Sequence, residues 1–206
     1  MVFEQNNPVV YLVDDEFAIR DSLTLLIETA GFDVQSFASA LEFLDCYDPE
    51  RPGCLLLDVR MPEMSGLELQ KALNERSLDI PIIFISGHAE VADSAKAFRA
   101  GAIDFLEKPF ENSVLLERIA EGIHKDIYAR SQQSLKREIL QRLGQLTPRE
   151  MEVLRLIISS HSNKESAKIL KVSNRTVDAH RARIMEKLQA DSLAELMKIA
   201  MQCDLL

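Results

Sequence analysis

Between Cys54 and Gly66 the chain reads CLLLDVRMPEMSG. Leu55, Leu56 and Leu57 make an unbroken apolar run, the pattern of a strand buried on both faces. The run ends on Asp58, and Met61-Pro62 then breaks it. An ionised carboxylate is costly to bury without partners. Asp58 is therefore either the first solvated residue of a loop or a reactive group held up by a rigid sheet. One aspartate does not decide between these readings; its neighbours do.

Outward from this strand, the first 125 residues alternate. Strand-like runs occupy 9–13 (VVYLV), 32–37 (FDVQSF), 53–57 (GCLLL), 80–86 (IPIIFIS) and 102–106 (AIDFL). Helical patterns lie between them at 18–30, 40–47, 67–75 and 91–100, the first closed by Gly31 and the last by Gly101. Five strands alternating with helices predict an α/β doubly wound parallel sheet over residues 8–125. Such sheets take ligands at the carboxyl ends of their strands. A helix starts at Asn112. With no proline and one glycine, Gly122, over 113–143, it is expected to continue as a long charged linker helix through 126–142. From residue 143 onward the chain reads as an all-α domain of four helices, 148–159, 163–170, 174–188 and 192–203. Thr147 at the N-cap, Pro148 at N1 and Glu150 at N3 predict a capping box at the first of these. No internal repeat or low-complexity tract occurs.

Composition narrows the function classes. At 206 residues the chain suits one large or two small domains, and 47% apolar residues is ordinary for a folded protein. No apolar stretch approaches the roughly 18 residues of a membrane span, and MVFEQNNP lacks the features of a signal peptide. Cys46, Cys54 and Cys203 have no metal-ligand spacing and read as reduced thiols in a cytosol. A net charge of −9 argues against a wholly nucleic-acid-binding chain. The charge is uneven, however: residues 144–206 carry ten Lys/Arg against eight Asp/Glu, leaving −11 on the remainder. Such asymmetry suggests two domains with different partners.

In a doubly wound sheet the ends of the first, third, fourth and fifth strands lie close together. Asp14-Asp15 follow the first strand, Asp58 ends the third, Ser86 ends the fourth, and Lys108-Pro109 follow the fifth. Each has a bland reading: a turn, a solvated loop charge, a turn hydroxyl. Jointly, in register with strand ends, they define a site. Three neighbouring carboxylates repel and need a cation, and their oxygens favour a hard metal such as Mg²⁺. A cation, a lysine and a hydroxyl around one carboxylate suit a phosphoryl group arriving on it, with Asp58 as nucleophile. His88, just beyond Ser86, reads as a surface residue, and His124 and His161 receive no role.

Asp14-Asp15, LLLDVRMPEMSG, FISGHA and GAIDFLEKPF, in this order and spacing, make residues 9–125 resemble the receiver domain of a two-component response regulator. The resemblance implies a flavodoxin-like fold in which Asp58 accepts phosphate from a sensor histidine kinase. It implies that Asp15, Asp58 and the backbone carbonyl of Arg60 bind Mg²⁺, with Asp14 assisting through water. Ser86 and Lys108 would hold phosphoryl oxygens, and Phe105 takes the position of the aromatic switch.

Further along, NKESAKILKVSNRTVDAHRARIMEKL (163–188) reads as helix, tight turn near Lys171–Ser173, and helix, the second capped by Ser173 or Asn174. Val177, Ile184 and Leu188 fall on one side of the second helix. Asp178, Ala179, Ala182 and Glu186 fall opposite, with Arg175, Arg181 and Arg183 toward the flanks. Such a helix suits a major groove. The arginines would take phosphates, Ala179 and Ala182 would meet thymine methyls, and Asp178 would accept from a cytosine amino group. LTPREMEVL, NKESA, VSNRTVDAHRARIMEKL and SLAELMKIA make residues 143–206 resemble the LuxR-type (FixJ/NarL-like) helix-turn-helix domain. The expected DNA contacts are Lys164, Asn174, Arg175, Thr176, Asp178, Ala179, Arg181, Ala182 and Arg183. The chain departs from the family at Ser160-His161, where glycine and a large apolar residue are usual, at Ser166 (commonly isoleucine) and at Lys171 (commonly glycine).

The resemblances imply a bacterial, cytoplasmic transcription regulator, an activator rather than an enzyme, that dimerises on phosphorylation. Its partners would be a sensor histidine kinase, double-stranded operator DNA and RNA polymerase, with no membrane. An aspartate-nucleophile phosphatase needs a second aspartate two residues past the nucleophile; Arg60 stands there and removes the general acid. The complete acidic site argues against a regulator that ignores phosphate.

Overall fold

Pro81, which has no N–H to give to a ladder, and the turn at Gly101 set the limits of the last two strands in a five-stranded sheet. The structure, a computed structural model, describes residues 7–87, 91–203 and 205; His88 lies outside them. The chain forms two compact units, the first ending at Arg130 and the second beginning at Ser131.

In the first unit β1 (Val9–Val13), α1 (Phe17–Thr29), β2 (Asp33–Phe37), α2 (Ala40–Cys46), β3 (Gly53–Asp58), α3 (Gly66–Glu75), β4 (Ile82–Ser86), α4 (Val91–Arg99) and β5 (Asp104–Glu107) alternate, and α5 (Asn112–Leu143) follows. All strand pairs are parallel, in the order β2-β1-β3-β4-β5. The order reverses between β1 and β3, so the crevice beyond their carboxyl ends is the expected ligand site. β5 begins later than the apolar pattern predicts. Gly101 (φ 96°) turns the chain, Ala102 N–H closes back on Ala97, and Ile103 N–H reaches the Ile82 carbonyl before pairing proper begins.

Alternate residues of the strands feed two apolar layers. Tyr11, Leu55, Leu57 and Phe84 pack with Phe43, Leu69 and Leu73 on one face. Leu12, Leu56, Ile83 and Ile85 pack with Ile27, Leu115 and Ile119 on the other. Helices cover both faces, which is why β1, β3 and β4 read as continuous apolar runs. The N-terminal end of β3 is also held. Gly53 N–H donates to the buried Asp126 carboxylate of α5 at 2.9 Å. Arg130 Nε donates to the same carboxylate at 2.6 Å, and its Nη1 donates to the Pro49 carbonyl.

In the second unit α6 (Pro148–Ile158), α7 (Asn163–Leu170), α8 (Asn174–Leu188) and α9 (Leu193–Gln202) enclose Val153, Leu154, Ile157, Val177, Ile184, Leu188 and Leu196, joined by Ile139 and Leu143 from the end of α5. Thr147 and Glu150 form the capping box at α6, and Ser162 with Glu165 forms another at α7. Ser173, not Asn174, caps α8. Glu150 is buried and accepts from Lys187 Nζ at 2.7 Å, tying α6 to α8. That ammonium, with the Thr147 N–H, holds the Glu150 carboxyl down at about 2.

The departures from the family pattern have structural correlates. Ser160 (φ 62°) and Lys171 (φ 54°, closing α7) adopt the left-handed conformation that glycine takes without strain. Ser166 is 1% exposed, and among the described residues its hydroxyl has no hydrogen-bond partner. Left-handed backbone costs a residue with a Cβ roughly 1–2 kcal/mol, partly offset by the greater chain entropy of unfolded glycine. Lys171→Gly is expected to stabilise the second unit by about 0.5–1 kcal/mol. A lower midpoint than wild type in urea unfolding would contradict that account of the turn.

Candidate functional site

Register decides which side chains meet. Val13 pairs with Leu57, so Asp14, the next residue, lies beside Asp58; Asp58 pairs with Ile85, and Ser86 with Glu107. The loop after β3 folds back tightly. Gly66 N–H donates to the Val59 carbonyl, and a Cβ at Gly66 would stand 2.2 Å from the Asp58 carbonyl oxygen. Only glycine permits that approach. Asp58 is thereby fixed at a sheet edge whose strand, neighbours and following loop are all constrained.

Lys108 bridges the two buried carboxylates. Its Nζ donates to Asp14 Oδ2 at 2.9 Å and to Asp58 Oδ1 at 3.0 Å. The other oxygen of each takes a backbone N–H, from Glu16 to Asp14 Oδ1 at 2.9 Å and from Arg60 to Asp58 Oδ2 at 2.7 Å. Asp14 is 1% exposed and Asp58 7%, while the Lys108 side chain is 20% exposed. Burial pushes the Asp58 carboxyl up, against the opposing pull of Lys108 and the Arg60 N–H. Burial alone would lower the Lys108 ammonium, but its bonds to Asp14 and Asp58 outweigh this and raise it. Lys108 stays charged and has a third N–H to offer an incoming anion.

Other expected residues lie around this core. Ser86 is buried at the end of β4, and Lys108 N–H donates to its carbonyl at 2.8 Å. Phe105 is half-buried, its ring stacked on Phe84 at 6.0 Å between centroids. Asp15 is exposed and outside the hydrogen-bonded set, so Asp14, not Asp15, is drawn into contact with Lys108. Sequence reasoning missed Arg20, whose guanidinium donates to the Asp14 carbonyl at 2.7 Å. Only its place one turn into α1 could have signalled it. Among the described residues no group of three or more His, Cys, Asp or Glu side chains is placed to hold a metal. Mg²⁺ takes only one or two carboxylates and keeps waters, so the chemistry of these oxygen donors fits it.

In the second unit, α8 buries Val177, Ile184 and Leu188 and exposes Asn174, Arg175, Asp178, Ala179, Ala182, Arg183 and Glu186. Lys164 on α7 is also exposed. Thr176 is half-buried, with its N–H and hydroxyl both bonded to Ser173 Oγ. Arg181 is half-buried, and its Nη1 donates to Asn163 Oδ1 at 3.1 Å; Asn163 Nδ2 in turn donates to Asp178 Oδ1. Asn163, outside the expected contacts, thus joins two of them. It gives no periodicity signal, because it sits on the other helix.

Comparison with known proteins agrees over both units. The family model described as the response regulator receiver domain matches residues 10–120, and that of bacterial regulatory proteins, luxR family, matches residues 144–200. Transcriptional regulatory protein TdiR of Thauera aromatica is 42% identical over 197 residues, 96% of this chain and 87% of TdiR. Transcriptional regulatory protein FixJ of Bradyrhizobium diazoefficiens is 39% identical over 197 residues, 96% of each chain. The solved structure of response regulator StyR superposes with a TM-score of 0.86 at 41% identity, covering 95% of this chain and 99% of that one.

The raised Asp58 carboxyl carries a stability consequence. Its folded-state value lies above the ordinary 3.8, so the folded state binds a proton that the unfolded state has lost. The stability this contributes is fully present below 3.8 and is lost as pH rises from there through the raised folded-state value, above which it changes no further. Urea unfolding of Asp58→Asn between pH 3 and 7 is expected to lack that component of the slope. An identical pH profile in wild type and variant would show that Asp58 is not the strained group.

Proposed function

This chain belongs to the response regulators that join a receiver domain to a LuxR-family DNA-binding domain, and from that premise we propose that phosphorylation of Asp58 by a cognate sensor histidine kinase controls its binding to operator DNA. The observation that carries the reading is the Lys108 ammonium bridging Asp14 and Asp58 in the crevice beyond the strand ends.

An Asp58 oxygen attacks phosphorus, the P–N bond of a phosphohistidine breaks, and the kinase imidazole leaves, giving an acyl phosphate on Asp58. Lys108 turns its N–H groups to the phosphoryl oxygens, and the Ser86 hydroxyl donates to another. Ser86 moves inward and lets Phe105, stacked on Phe84 in this structure, repack. Asp15, Asp58 and the Arg60 carbonyl, with Asp14 through water, would hold Mg²⁺, which would supply charge neutralisation. The chain is not an enzyme in the usual sense: the group it receives stays on its own side chain until hydrolysis.

In the second domain the exposed side of α8 enters the major groove. Arg175, Arg181 and Arg183, with Lys164, Asn174 and Thr176, take phosphates and fix register. Asp178, Ala179 and Ala182 meet base edges. The receiver, expected over 8–125, carries on along α5 through Arg130; the linker helix then runs to 142, and the DNA-binding domain spans 143–206. One such module, with a surplus of only two positive charges, binds weakly. Phosphorylation promotes a homodimer whose two modules bind a palindromic site together, since linkage makes the second contact intramolecular. The protein acts in the bacterial cytoplasm as an activator that engages RNA polymerase.

Two experiments test this. Acetyl phosphate with Mg²⁺ is expected to label wild type once, on Asp58 by mass spectrometry, and to leave Asp58→Asn unlabelled; phosphate on Asp14 or on a histidine would overturn the assignment. Sedimentation with beryllofluoride is expected to shift monomer toward dimer, with coupling of about 5–150-fold in the association constant. A monomer that persists alone and on DNA would exclude dimerisation as the route of control.

A further inference from the structure

Asn163 lies at the first turn of α7, beyond Ser162, whose side chain caps that helix. Its amide spans two oppositely charged residues of α8. The Asn163 NH₂ donates to Asp178 Oδ1, and Asn163 Oδ1 accepts from Arg181 Nη1 at 3.1 Å. Asp178 and Arg181 are three residues apart on one helix, a spacing at which opposite charges ordinarily pair directly. Among the described residues no ion pair joins them; the amide stands between.

We propose that Asn163 is a positioning residue for DNA recognition, holding Asp178 and Arg181 apart so that each keeps the groups it offers to DNA. This rests on the reading of α8 as the DNA-contacting helix. A direct Asp178–Arg181 pair would spend both charges on each other. The carboxylate would lose its acceptor toward an exposed base amino group, and the guanidinium would be drawn from the phosphates. The neutral amide takes one oxygen of Asp178 and leaves Oδ2. It takes one of the five N–H donors of Arg181 and leaves four. It also holds a long, rotamer-rich side chain in place before DNA arrives, so that less freedom is lost on binding. The asparagine therefore acts on both parts of recognition, phosphate affinity through Arg181 and base preference through Asp178.

The test uses the full chain with beryllofluoride and Mg²⁺, and a duplex selected by the wild-type protein from a randomised 20-bp library. Asn163→Ala is expected to weaken binding about 10-fold and to flatten the slope of log K against log salt by about one, as losing a phosphate contact does. It is also expected to relax preference at the base pair whose identity Asp178→Ala makes irrelevant. In an Arg181→Ala background the added loss of affinity from Asn163→Ala should be small, because its route to the phosphate is already gone. Asn163→Asp keeps an acceptor for Arg181, but as a charged one, and repels Asp178; it is expected to bind no better than Asn163→Ala. A helix α7 merely weakened by the substitution would instead give losses that add to those of Arg181→Ala, with salt slope and base preference unchanged. That result, or wild-type binding by Asn163→Asp, overturns the proposal. Failure of the wild-type chain to select any duplex would overturn the DNA-binding reading itself.

Discussion

Two carboxylates side by side in a nearly dry crevice repel each other and lose their hydration. The first unit ends its sheet in this way because Lys108 reaches across from the end of β5 to both Asp14 and Asp58. The arrangement needs the strand order, since only β1 beside β3 brings the aspartates together. It needs a stiff frame, since β1, β3 and β4 are buried on both faces. It also needs Gly66, whose missing side chain lets the loop close over the Asp58 carbonyl. The sheet holds its aspartate in an environment that raises the carboxyl through burial, so its ionised form is less favoured there than in water.

The second unit meets a different demand: a helix with one apolar face and one exposed polar face must be held without covering the latter. Its attachments leave the exposed side clear. Glu150 takes Lys187 near the C-terminal end of α8, Ser173 caps the N-terminal end, and Val177, Ile184 and Leu188 fill the inner face. The turn into α8 keeps a left-handed residue although lysine occupies it. Tertiary packing of both helices outweighs the local preference of one side chain.

Much of this was legible in the sequence, for identifiable reasons. Helices 163–170 and 174–188 were readable because their helical patterns break at the tight turn near Lys171–Ser173; the left-handed Lys171 and Gln189 that close them were not, since neither is a glycine. The β3 strand was readable because helices on both sides demand an unbroken apolar run. The start of β5 was not, because Ala102 and Ile103 are apolar yet serve the turn after Gly101. Nor could the sequence show which of Asp14 and Asp15 turns inward, since adjacent residues of like chemistry differ only in the direction of the backbone. Asn163 escaped notice for a further reason. Its partners lie 15 and 18 residues away on another helix, and local patterns do not encode such contacts.

The buried Asp126 gives α5 a second identity. Its carboxylate is the acceptor for Gly53 N–H at the far end of the strand that carries Asp58, and Arg130 locks it there while also holding the Pro49 carbonyl. The root of the helix is therefore a structural member of the sheet rather than the beginning of a tether. A fragment of the first unit cut at residue 125 would leave the Gly53 amide facing an empty acceptor site and the Pro49 loop unheld. A fragment carried through Arg130 keeps both. The first unit therefore needs α5 through Arg130, about two helical turns beyond Ile123, its last sheet-packing apolar residue.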